Sequence, residues 1–235
     1  MPRYKITKSL IESWYYVHDC WEGCEDDAME SFLRALRCEP EDLTEEQQQN
    51  IQNGHDFETL IEHIANDRFI PKLEWEKDKD GNLIIEPNSG EPMAHQVYPK
   101  TYRAAYELAQ LVKGAQFQVR IQKPITVNGM DFEIVGVLDA LREGTIFDFK
   151  FKNKSFGSLD LAGDYLDSAQ HPFYFYLVPE ARKFLYMVSD GNDIYIEQYF
   201  PEETRSAEEI IAEFILFLES SNLMDEYKAH WQIAA

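Results

Sequence analysis

Cysteine is scarce in this sequence, and long apolar runs are absent. There are only three cysteines, an odd number that leaves no complete disulfide framework, and this agrees with a reducing compartment. No apolar run approaches the roughly 18 residues that indicate a membrane span. The first residues, MPRYKITKSLIESWYY, include basic residues but no continuous apolar stretch or cleavage site behind them. We therefore expect a cytoplasmic protein with no membrane partner.

The three cysteines, Cys20, Cys24 and Cys38, all lie near the N-terminus. They could be three ligands of a metal or iron–sulfur site, although a closed site usually needs a fourth ligand and no cysteine follows. The alternative is that they are ordinary residues on helix faces, which the C-x3-C spacing of the first two allows.

Basic residues are also scarce. The chain has 22 Lys and Arg against 43 Asp and Glu, a formal net charge of −21. This argues against a nucleic-acid partner, because phosphate binding draws most of its affinity from lysine and arginine. The charge is uneven, however: residues 98–154 carry a net +3 and the remainder −24. That segment is either a basic binding surface or an ordinary surface of mixed charge.

No internal repeat, low-complexity tract or G-x-x-x-x-G-K-[ST] motif is present, so the chain contains no P-loop motor of its own. What it does contain is core material. Hydrophobic residues make up 44% of the chain and aromatic residues 14%, which is enough for one compact domain with a buried core.

Helices are predicted towards both ends of the chain from apolar residues at helical spacing. Capping boxes, Thr44 with Gln47 and Ser206 with Glu209, mark two of the helix starts. The predicted helices are 6–21, 26–38, 45–66, 101–114, 166–177 and one from Ser206 onwards.

Strands are predicted in the middle of the chain. Three strand-like runs, 116–127, 130–141 and 145–152, are separated by Asn128-Gly129 and Glu143-Gly144, two-residue turns that favour an antiparallel meander. A further hairpin is expected at 183–200, turning at Asp190-Gly191-Asn192. Residues 71–97, rich in Pro, Gly, Asn and charge, suggest a long excursion or a small hairpin turning at Asp80-Gly81-Asn82.

Charged residues interrupt two of these strands. In FDFKF, Asp148 and Lys150 share one face and the phenylalanines share the other, and a tight hairpin would bring Asp139 beside Asp148. Two neighbouring carboxylates repel each other, and a hard cation such as Mg²⁺ relieves that repulsion. Carboxylate, carboxylate and ammonium together indicate phosphodiester hydrolysis. The alternative for Asp-x-Lys is a solvated, charged strand face; Glu133 is a further carboxylate on the inferred face of Asp139.

These residues carry a family resemblance. Gly136-x-x-Asp139, Asp148-x-Lys150 and Gln170-x-x-x-Tyr174 resemble the RecB-type exonuclease branch of the PD-(D/E)xK nuclease superfamily, as does an upstream helix with Gly54-His55. The first helix, ITKSLIESWYYVHDC, is also similar to the helix that often starts these proteins. The small size resembles stand-alone phage or prophage exonucleases, which work with a single-strand annealing protein.

The resemblance implies a role for each matched residue. His55, Asp139 and Asp148 would bind Mg²⁺ or Mn²⁺, with the Phe149 carbonyl as a further ligand. Lys150 would be the catalytic lysine. Gln170 and Tyr174 would line the site or contact DNA. The alternatives are that His55 is a surface histidine and that Gln170 and Tyr174, four residues apart on a helix, pair or pack.

Some features depart from the family pattern. Members with an iron–sulfur cluster use cysteines from both ends of the domain, whereas all three here are N-terminal, so we expect no cluster. The basic residues expected to face DNA are Arg120, Lys123, Lys152 and Lys154, within a wider group that includes Lys100, Arg103 and Lys113.

Together these observations predict an α/β protein, a restriction-endonuclease-like core with a mixed central sheet flanked by helices and an N-terminal helical extension. A single domain would comprise a helical part at 1–70, an excursion at 71–97, a catalytic core at 98–200 and a C-terminal helix within 201–235. The predicted function is metal-dependent DNA exonuclease activity in phage-type recombination or repair. The alternatives are a structure- or site-specific DNA endonuclease and a non-catalytic acidic protein that mimics DNA or serves in interactions.

Overall fold

Six strands form one mixed β-sheet at the centre of the structure, a computed structural model that describes residues 3–158 and 161–233. The strands, in chain order, are β1 (Arg3–Ile6), β2 (Lys72–Trp75), β3 (Ala94–Val97), β4 (Gln116–Val127), β5 (Met130–Arg142), β6 (Thr145–Phe151), β7 (Lys183–Ser189) and β8 (Ile194–Tyr199). Strands β2 and β3 pair separately. In the central sheet β4, β5 and β6 form an antiparallel meander, β7 is parallel to β6, and β8 is antiparallel to β7.

Strand β5 has neighbours on both edges, and one of its edges is shared by two strands. Strand β4 pairs along its length. On the other edge, β1 pairs in parallel with residues 131–134, and β6 pairs with residues 140–142. The described ladders therefore leave residues 135–139 without a strand partner on that edge. We call this interval the edge gap of β5.

Seven α-helices lie within the described residues, and side-chain caps fix the start of three of them. Both expected capping boxes are confirmed, Thr44 with Gln47 and Ser206 with Glu209, and Thr7 caps the first helix. The helices are α1 (Lys8–Asp19), α2 (Glu25–Leu36), α3 (Glu45–Ala65), α4 (Tyr102–Leu111), α5 (Gln170–Leu177), α6 (Ala207–Ser220) and α7 (Met224–Trp231).

Helices cover both faces of the sheet. Apolar residues of α1, α2, α5, α6 and α7 form one buried cluster with β1, β5 and β7. A second cluster joins α3 and α4 to Phe147, Phe149 and Met187 on the opposite face. The predicted fold class is confirmed: the protein is α/β, with a mixed central sheet flanked by helices.

Local patterns predicted the meander and the second hairpin correctly. Asn128 and Gly129 have φ of 50° and 78°, and Glu143 and Gly144 have φ of 49° and 76°, so both connections use the left-handed conformation that two-residue hairpin turns require. The β7–β8 pair confirms the hairpin predicted around Asp190-Gly191-Asn192.

Three expectations about the elements are wrong. Residues 3–6 are a strand of the central sheet, so the first helix does not begin at residue 6 and the part at 1–70 is not wholly helical. The expected helix at 166–177 begins only at Gln170. Region 201–235 contains two helices, α6 and α7, and not one. Strand β1 escaped prediction because it is held by distant residues: its Lys5 carbonyl accepts a hydrogen bond from the Tyr227 hydroxyl at 2.8 Å.

Residues 72–97 form an arm that contributes nothing to the central sheet. Strands β2 and β3 pair with each other, and the expected turn is present, with Gly81 at φ 86° and the Asp78 carboxylate accepting from the backbone N–H of Asp80 and Asn82. No residue of the arm is buried, although Leu73 and Trp75 are large and apolar. Both sequence-based alternatives for this segment, an excursion and a hairpin, are therefore realised together.

None of the helices in the described part of the chain combines the length and the apolarity that crossing a bilayer requires.

Candidate functional site

Asp139 lies at the end of the edge gap, where β5 and β6 separate. The last ladder pair between these strands is Ala140↔Phe147. Beyond it, the Asp139 carboxylate accepts a hydrogen bond from the Phe149 backbone N–H at 2.9 Å. A side-chain oxygen thus serves as acceptor just where the regular ladder between the strands has stopped.

The β4–β5 hairpin also changes direction at Asp139. Leu138 packs in the first apolar cluster and Ala140 in the second, although residues two apart in a regular strand share a face. In the β4 register the position opposite Asp139 is Gln118, whose φ is 51°, an uncommon conformation for a residue with a side chain. Gln118 itself lines the site. The bend in the hairpin is therefore located at the carboxylate.

Strand β6 supplies Asp148 and Lys150 by simple alternation. Phe147 and Phe149 pack into the second cluster, which directs the two charged side chains to the other face of the sheet. Asp148 is 2% exposed, and its Oδ2 lies 2.8 Å from Lys150 Nζ. The predicted arrangement of this strand is confirmed.

Helix α5 brings an amide group to the same two side chains. Gln170 Nε2 donates to Asp148 Oδ1, and Gln170 Oε1 accepts from Lys150 Nζ at 3.1 Å and from Lys8 Nζ at 3.0 Å. Since one amide satisfies a carboxylate and two ammonium groups, Gln170 links α1, α5 and β6.

Tyr174 anchors α5 in the edge gap. Its hydroxyl donates to the Val137 carbonyl at 2.8 Å. A Cβ added at Gly136 would lie 2.7 Å from both Leu177 Cδ1 and Tyr174 Cε1. Glycine is therefore required at position 136 so that the helix can approach the strand closely. This gives Gly136-x-x-Asp139 a physical basis.

Helix α3 closes the site from the other side with His55 and Glu58. Their side chains, one turn apart, are 66% and 28% exposed, and His55 Nδ1 lies 3.9 Å from Glu58 Oε2. All seven residues predicted for catalysis or metal binding thus line one pocket of about 420 Å³. Its lining residues are Lys8, His55, Glu58, Thr59, Glu62, Phe117, Gln118, Val137, Asp139, Asp148, Phe149, Lys150, Gln170 and Tyr174.

The pocket concentrates negative charge away from water. Burial raises the pKa of Asp139 well above its ordinary value, and the neighbouring charges of Asp148 and Glu58 raise it further. Burial likewise raises the pKa of Glu58. Burial alone would lower the pKa of Lys150, but the charge of Asp148 and its hydrogen bond outweigh that effect and raise it. The folded chain therefore favours protonation of Asp139 and Glu58 and retention of the positive charge of Lys150.

The donor chemistry of the pocket fits a hard divalent cation, although the ligands are not preassembled. Among the residues of 3–158 and 161–233, no three His, Cys, Asp or Glu side chains are grouped closely enough to form a ready-made metal site. Carboxylate oxygens of Asp139 and Asp148 are nevertheless available, and Asp148 Oδ2 is buried 2.8 Å from the Lys150 ammonium. Oxygen ligands of this kind suit Mg²⁺ and Mn²⁺.

Seven residues of the pocket were missed by the sequence reasoning, among them the charged residues Lys8, Glu58 and Glu62. Glu58 could have been found, because a residue three positions after His55 lies on the same face of a helix. Lys8 could not, since its contact with Gln170 spans 162 positions of the chain and depends on β1 placing the start of α1 beside β5.

The basic residues expected to face DNA are not gathered at the pocket. Arg120 and Lys123 are three positions apart on β4, so they extend from opposite faces of the strand. Lys152 forms an ion pair with Asp164 at 3.1 Å and lies over the Tyr165 ring, whereas Lys154 is exposed. Arg120 and Lys123 therefore do not share one face of β4, and Lys152 is already paired.

Other singled-out residues lie outside the pocket. Glu133, expected on the face of Asp139, pairs with Arg3 at 3.3 Å. Cys20, Cys24 and Cys38 are free thiols, and Cys24 Sγ lies 3.4 Å from the Tyr16 hydroxyl.

Comparisons with known proteins give no family. No family model matches the chain, and no curated protein matches it. Among solved structures, the chain is similar to a protein described only as "Crystal structure of SSO0001", with 14% sequence identity, coverage of 93% of this chain and 78% of that chain, and a TM-score of 0.45. That description names no activity, and similarity of this size leaves function to be argued from the pocket itself.

Proposed function

We propose that this protein is a metal-dependent deoxyribonuclease, an exonuclease that hydrolyses the phosphodiester bonds of DNA. One observation carries the proposal. Residues from four separate elements, which the sequence groups into the motifs of RecB-type nucleases, line a single pocket in which buried carboxylates lie against an ammonium group. A solvated strand face, the alternative for Asp-x-Lys, does not account for an aspartate that is 2% exposed.

Asp139 and Asp148 are the proposed ligands of Mg²⁺ or Mn²⁺, with His55 and the Phe149 carbonyl completing the set. When bound, the metal would act as a Lewis acid towards the phosphate and lower the pKa of an attacking water. The raised pKa of Asp139 shows that its negative charge is unfavourable beside Asp148 and Glu58. A cation bound at this carboxylate would relieve that repulsion.

Lys150 is the proposed catalytic lysine. Its ammonium lies against Asp148 and Gln170, which fix its position at the pocket. There it stabilises negative charge that develops on the phosphate. Gln170 acts as a positioning residue, since it holds Lys150, Lys8 and Asp148 at once. Tyr174 holds α5 against β5 through the Val137 carbonyl.

The acidic composition is compatible with a DNA substrate because Lys8 and Lys150 place two positive charges in the pocket itself. A bound divalent cation adds further positive charge where the phosphate must lie. Work beside a single-strand annealing protein in phage-type recombination belongs to the same proposal and is supported by the family resemblance alone.

The test is digestion of end-labelled linear duplex, circular duplex and single-stranded DNA by purified protein with Mn²⁺, with Mg²⁺, and with excess chelator. We expect metal-dependent release of nucleotides from linear DNA and none from covalently closed circles. Cleavage of circles would indicate an endonuclease. If no substrate is cut with either metal, the nuclease proposal fails and the acidic interaction protein becomes the better hypothesis.

A further inference from the structure

Four aromatic rings pack against one another beside a cleft that opens next to the pocket. The ring centroid of Tyr102 lies 4.5 Å from that of Tyr98, 5.0 Å from that of Phe69 and 6.0 Å from that of Tyr106, and the centroids of Phe69 and Tyr98 are 6.1 Å apart. Tyr98 and Tyr106 are 43% and 46% exposed. We call Phe69, Tyr98, Tyr102 and Tyr106 the aromatic row.

The row is continuous with a cleft of about 1140 Å³. Phe69 lines this cleft, and so does the segment Pro99–Thr101 that joins Tyr98 to Tyr102. The cleft and the carboxylate pocket lie on either side of α3, and Thr59 lines both. A flexible chain lying in the cleft could therefore reach the carboxylate pocket by crossing α3 at Thr59.

The chemistry of the cleft suits a phosphate backbone with stacked bases. Lys100 and Arg68 line it together with Asp56 and Asp190, so the formal charges of these lining residues balance. Arg68 lies 3.9 Å from Glu62, whereas Lys100 forms no ion pair in the described part of the chain. Asp190 is engaged by the backbone N–H groups of Phe156, Asn192 and Asp193. Aromatic rings beside basic side chains are the usual means of binding single strands without sequence preference.

We infer that the aromatic row is a stacking platform for unpaired bases of a DNA strand whose scissile phosphate enters the carboxylate pocket. The inference rests on the proposed nuclease function and adds to it the substrate class, a strand with an unpaired segment. Duplex DNA has its bases stacked on one another and would use only the basic groups of the cleft.

The test uses the cleavage-blocked Asp148→Asn protein with Mn²⁺ and measures fluorescence anisotropy of a labelled 20-nucleotide thymidine strand and of a 20-base-pair blunt duplex. Adding Tyr98→Ala or Tyr106→Ala should weaken single-strand binding about fivefold or more, the usual effect of removing one stacking ring. Duplex binding should change by less than about twofold.

Matched variants of Tyr98 distinguish base stacking on an aromatic ring from contact with apolar bulk. Tyr98→Phe should retain single-strand affinity, whereas Tyr98→Leu, which keeps apolar bulk without a ring face, should lose it. Trp21→Ala removes an exposed ring outside the row and should change nothing. A strand with abasic sites at every position should bind the wild-type row no better than it binds the Tyr98→Ala protein.

The outcomes separate the two proposals. If Asp148→Asn protein binds single strands and the tyrosine variants bind them equally well, the aromatic row is not a stacking platform, and the nuclease proposal is untouched. A loss on duplex equal to the loss on single strands would also overturn the inference. Failure of the wild-type protein to cleave any DNA with metal would overturn the nuclease function on which the inference rests.

Discussion

Asp139 and Asp148 differ in the groups that compensate their negative charge. Replacing each by asparagine should therefore change the stability of the protein differently. Asp148 is held by Lys150 and Gln170, whereas Asp139 receives one backbone hydrogen bond and has a strongly raised pKa. An acid whose pKa is raised on folding contributes stability below its ordinary pKa near 3.8, and that contribution is lost as pH rises through the folded value.

Asp139→Asn should therefore stabilise the chelator-treated protein at pH 7.5, on the order of 1 kcal/mol, because each tenfold change in a protonation equilibrium corresponds to about 1.4 kcal/mol. Urea unfolding in excess chelator measures this. Asp148→Asn is the matched control and should give no such gain, since it leaves Lys150 without its partner. Equal effects of the two variants would contradict the assigned asymmetry.

Both variants should lose nuclease activity by at least about a hundredfold, because each removes a charge from the proposed metal site. Lys150→Ala should lose rate while Mn²⁺ binding, followed by calorimetry, remains. Normal cleavage by purified Asp148→Asn protein would exclude the proposed site.

His55 stands at the rim of the pocket, and its imidazole suits Mn²⁺ better than Mg²⁺. His55→Ala should weaken Mn²⁺ binding about tenfold or more in a calorimetric titration. His63, on the same helix but lining the neighbouring cleft, provides the control, and His63→Ala should bind Mn²⁺ normally. An unchanged affinity in His55→Ala would make this residue an ordinary surface histidine.

His171 predicts an acid-sensitive step in stability. It is 2% exposed, stacks on Tyr199 at 4.2 Å and bonds to the Tyr186 hydroxyl at 3.1 Å, and burial lowers its pKa from 6.5 to about 4. A depressed pKa means that the unfolded chain binds the proton more tightly. The stabilisation is therefore complete above pH 6.5 and is lost as pH falls towards 4.

The loss should approach about 3 kcal/mol between pH 7 and pH 4, less whatever Asp139 contributes in the opposite direction. Unfolding of the wild type and His171→Gln at several pH values isolates the histidine, because all other groups are common to both. The difference in unfolding free energy between the two proteins should narrow on acidification. A difference independent of pH would show that His171 is not the responsible group.

At the scale of elements, the contact between α5 and β5 depends on Gly136. Gly136→Ala places a methyl group within 2.7 Å of Leu177 and Tyr174, so the helix must move away from the strand. We expect destabilisation of about 1 to 3 kcal/mol, as for overpacking in a core. Activity should also fall, because Gln170 and Tyr174 move with α5.

Gly54 is the matched control for Gly136. It lies within α3, and an added Cβ there meets nothing within 4 Å. Gly54→Ala should therefore stabilise the protein by about 0.5 to 1 kcal/mol through helix propensity. Thermal unfolding measures both effects. Unfolding temperatures of Gly136→Ala and Gly54→Ala that shift in the same direction would contradict this account.

The elements that the sequence predicted well are those specified by local chemistry. Asn128-Gly129 and the alternation in FDFKF encode turns and faces within a few residues, so the meander and the placement of Asp148 followed directly. Strand β1 and helix α7 depend on each other, through the bond from Tyr227 to Lys5, and no local pattern encodes such a contact. Lys8 entered the pocket unpredicted for the same reason. The bend at Asp139 was not predicted either. Regular alternation along β5 predicts that Leu138 and Ala140 pack in the same cluster, whereas they pack in different ones.

For the molecule as a whole, the charge of −21 should make the proposed DNA binding sensitive to a few uncompensated lysines. With cleavage blocked by Asp148→Asn and metal present, log affinity for duplex should fall linearly with log salt, with a slope of roughly −3 to −4.5 for three to five phosphate contacts. Lys152 and Lys154 should contribute unequally to this slope, because Lys152 is already paired with Asp164.

Lys154→Ala should make the salt slope shallower by about one unit, and Lys152→Ala by less, because Lys152 is already neutralised in part. Arg34→Ala removes a cation paired with Glu30 on α2 and should leave the slope unchanged. If the lysine variants bind DNA with the wild-type slope, the DNA path does not cross this end of β6.

The pairing of the two ends of the described chain sets an order for assembly during synthesis. Strand β1 accepts hydrogen bonds from Ile233 at the Arg3 carbonyl and from Tyr227 at the Lys5 carbonyl, each at 2.8 Å. Strand β1, the first of the described strands to be made, therefore cannot gain these bonds until residues made more than 200 positions later have emerged. Lys8 follows β1 closely, so one of the two positive charges of the pocket, that of Lys8, is fixed late as well. The carboxylates of Asp139 and Asp148 would therefore leave the ribosome before the residues that hold β1, and with it Lys8, in place.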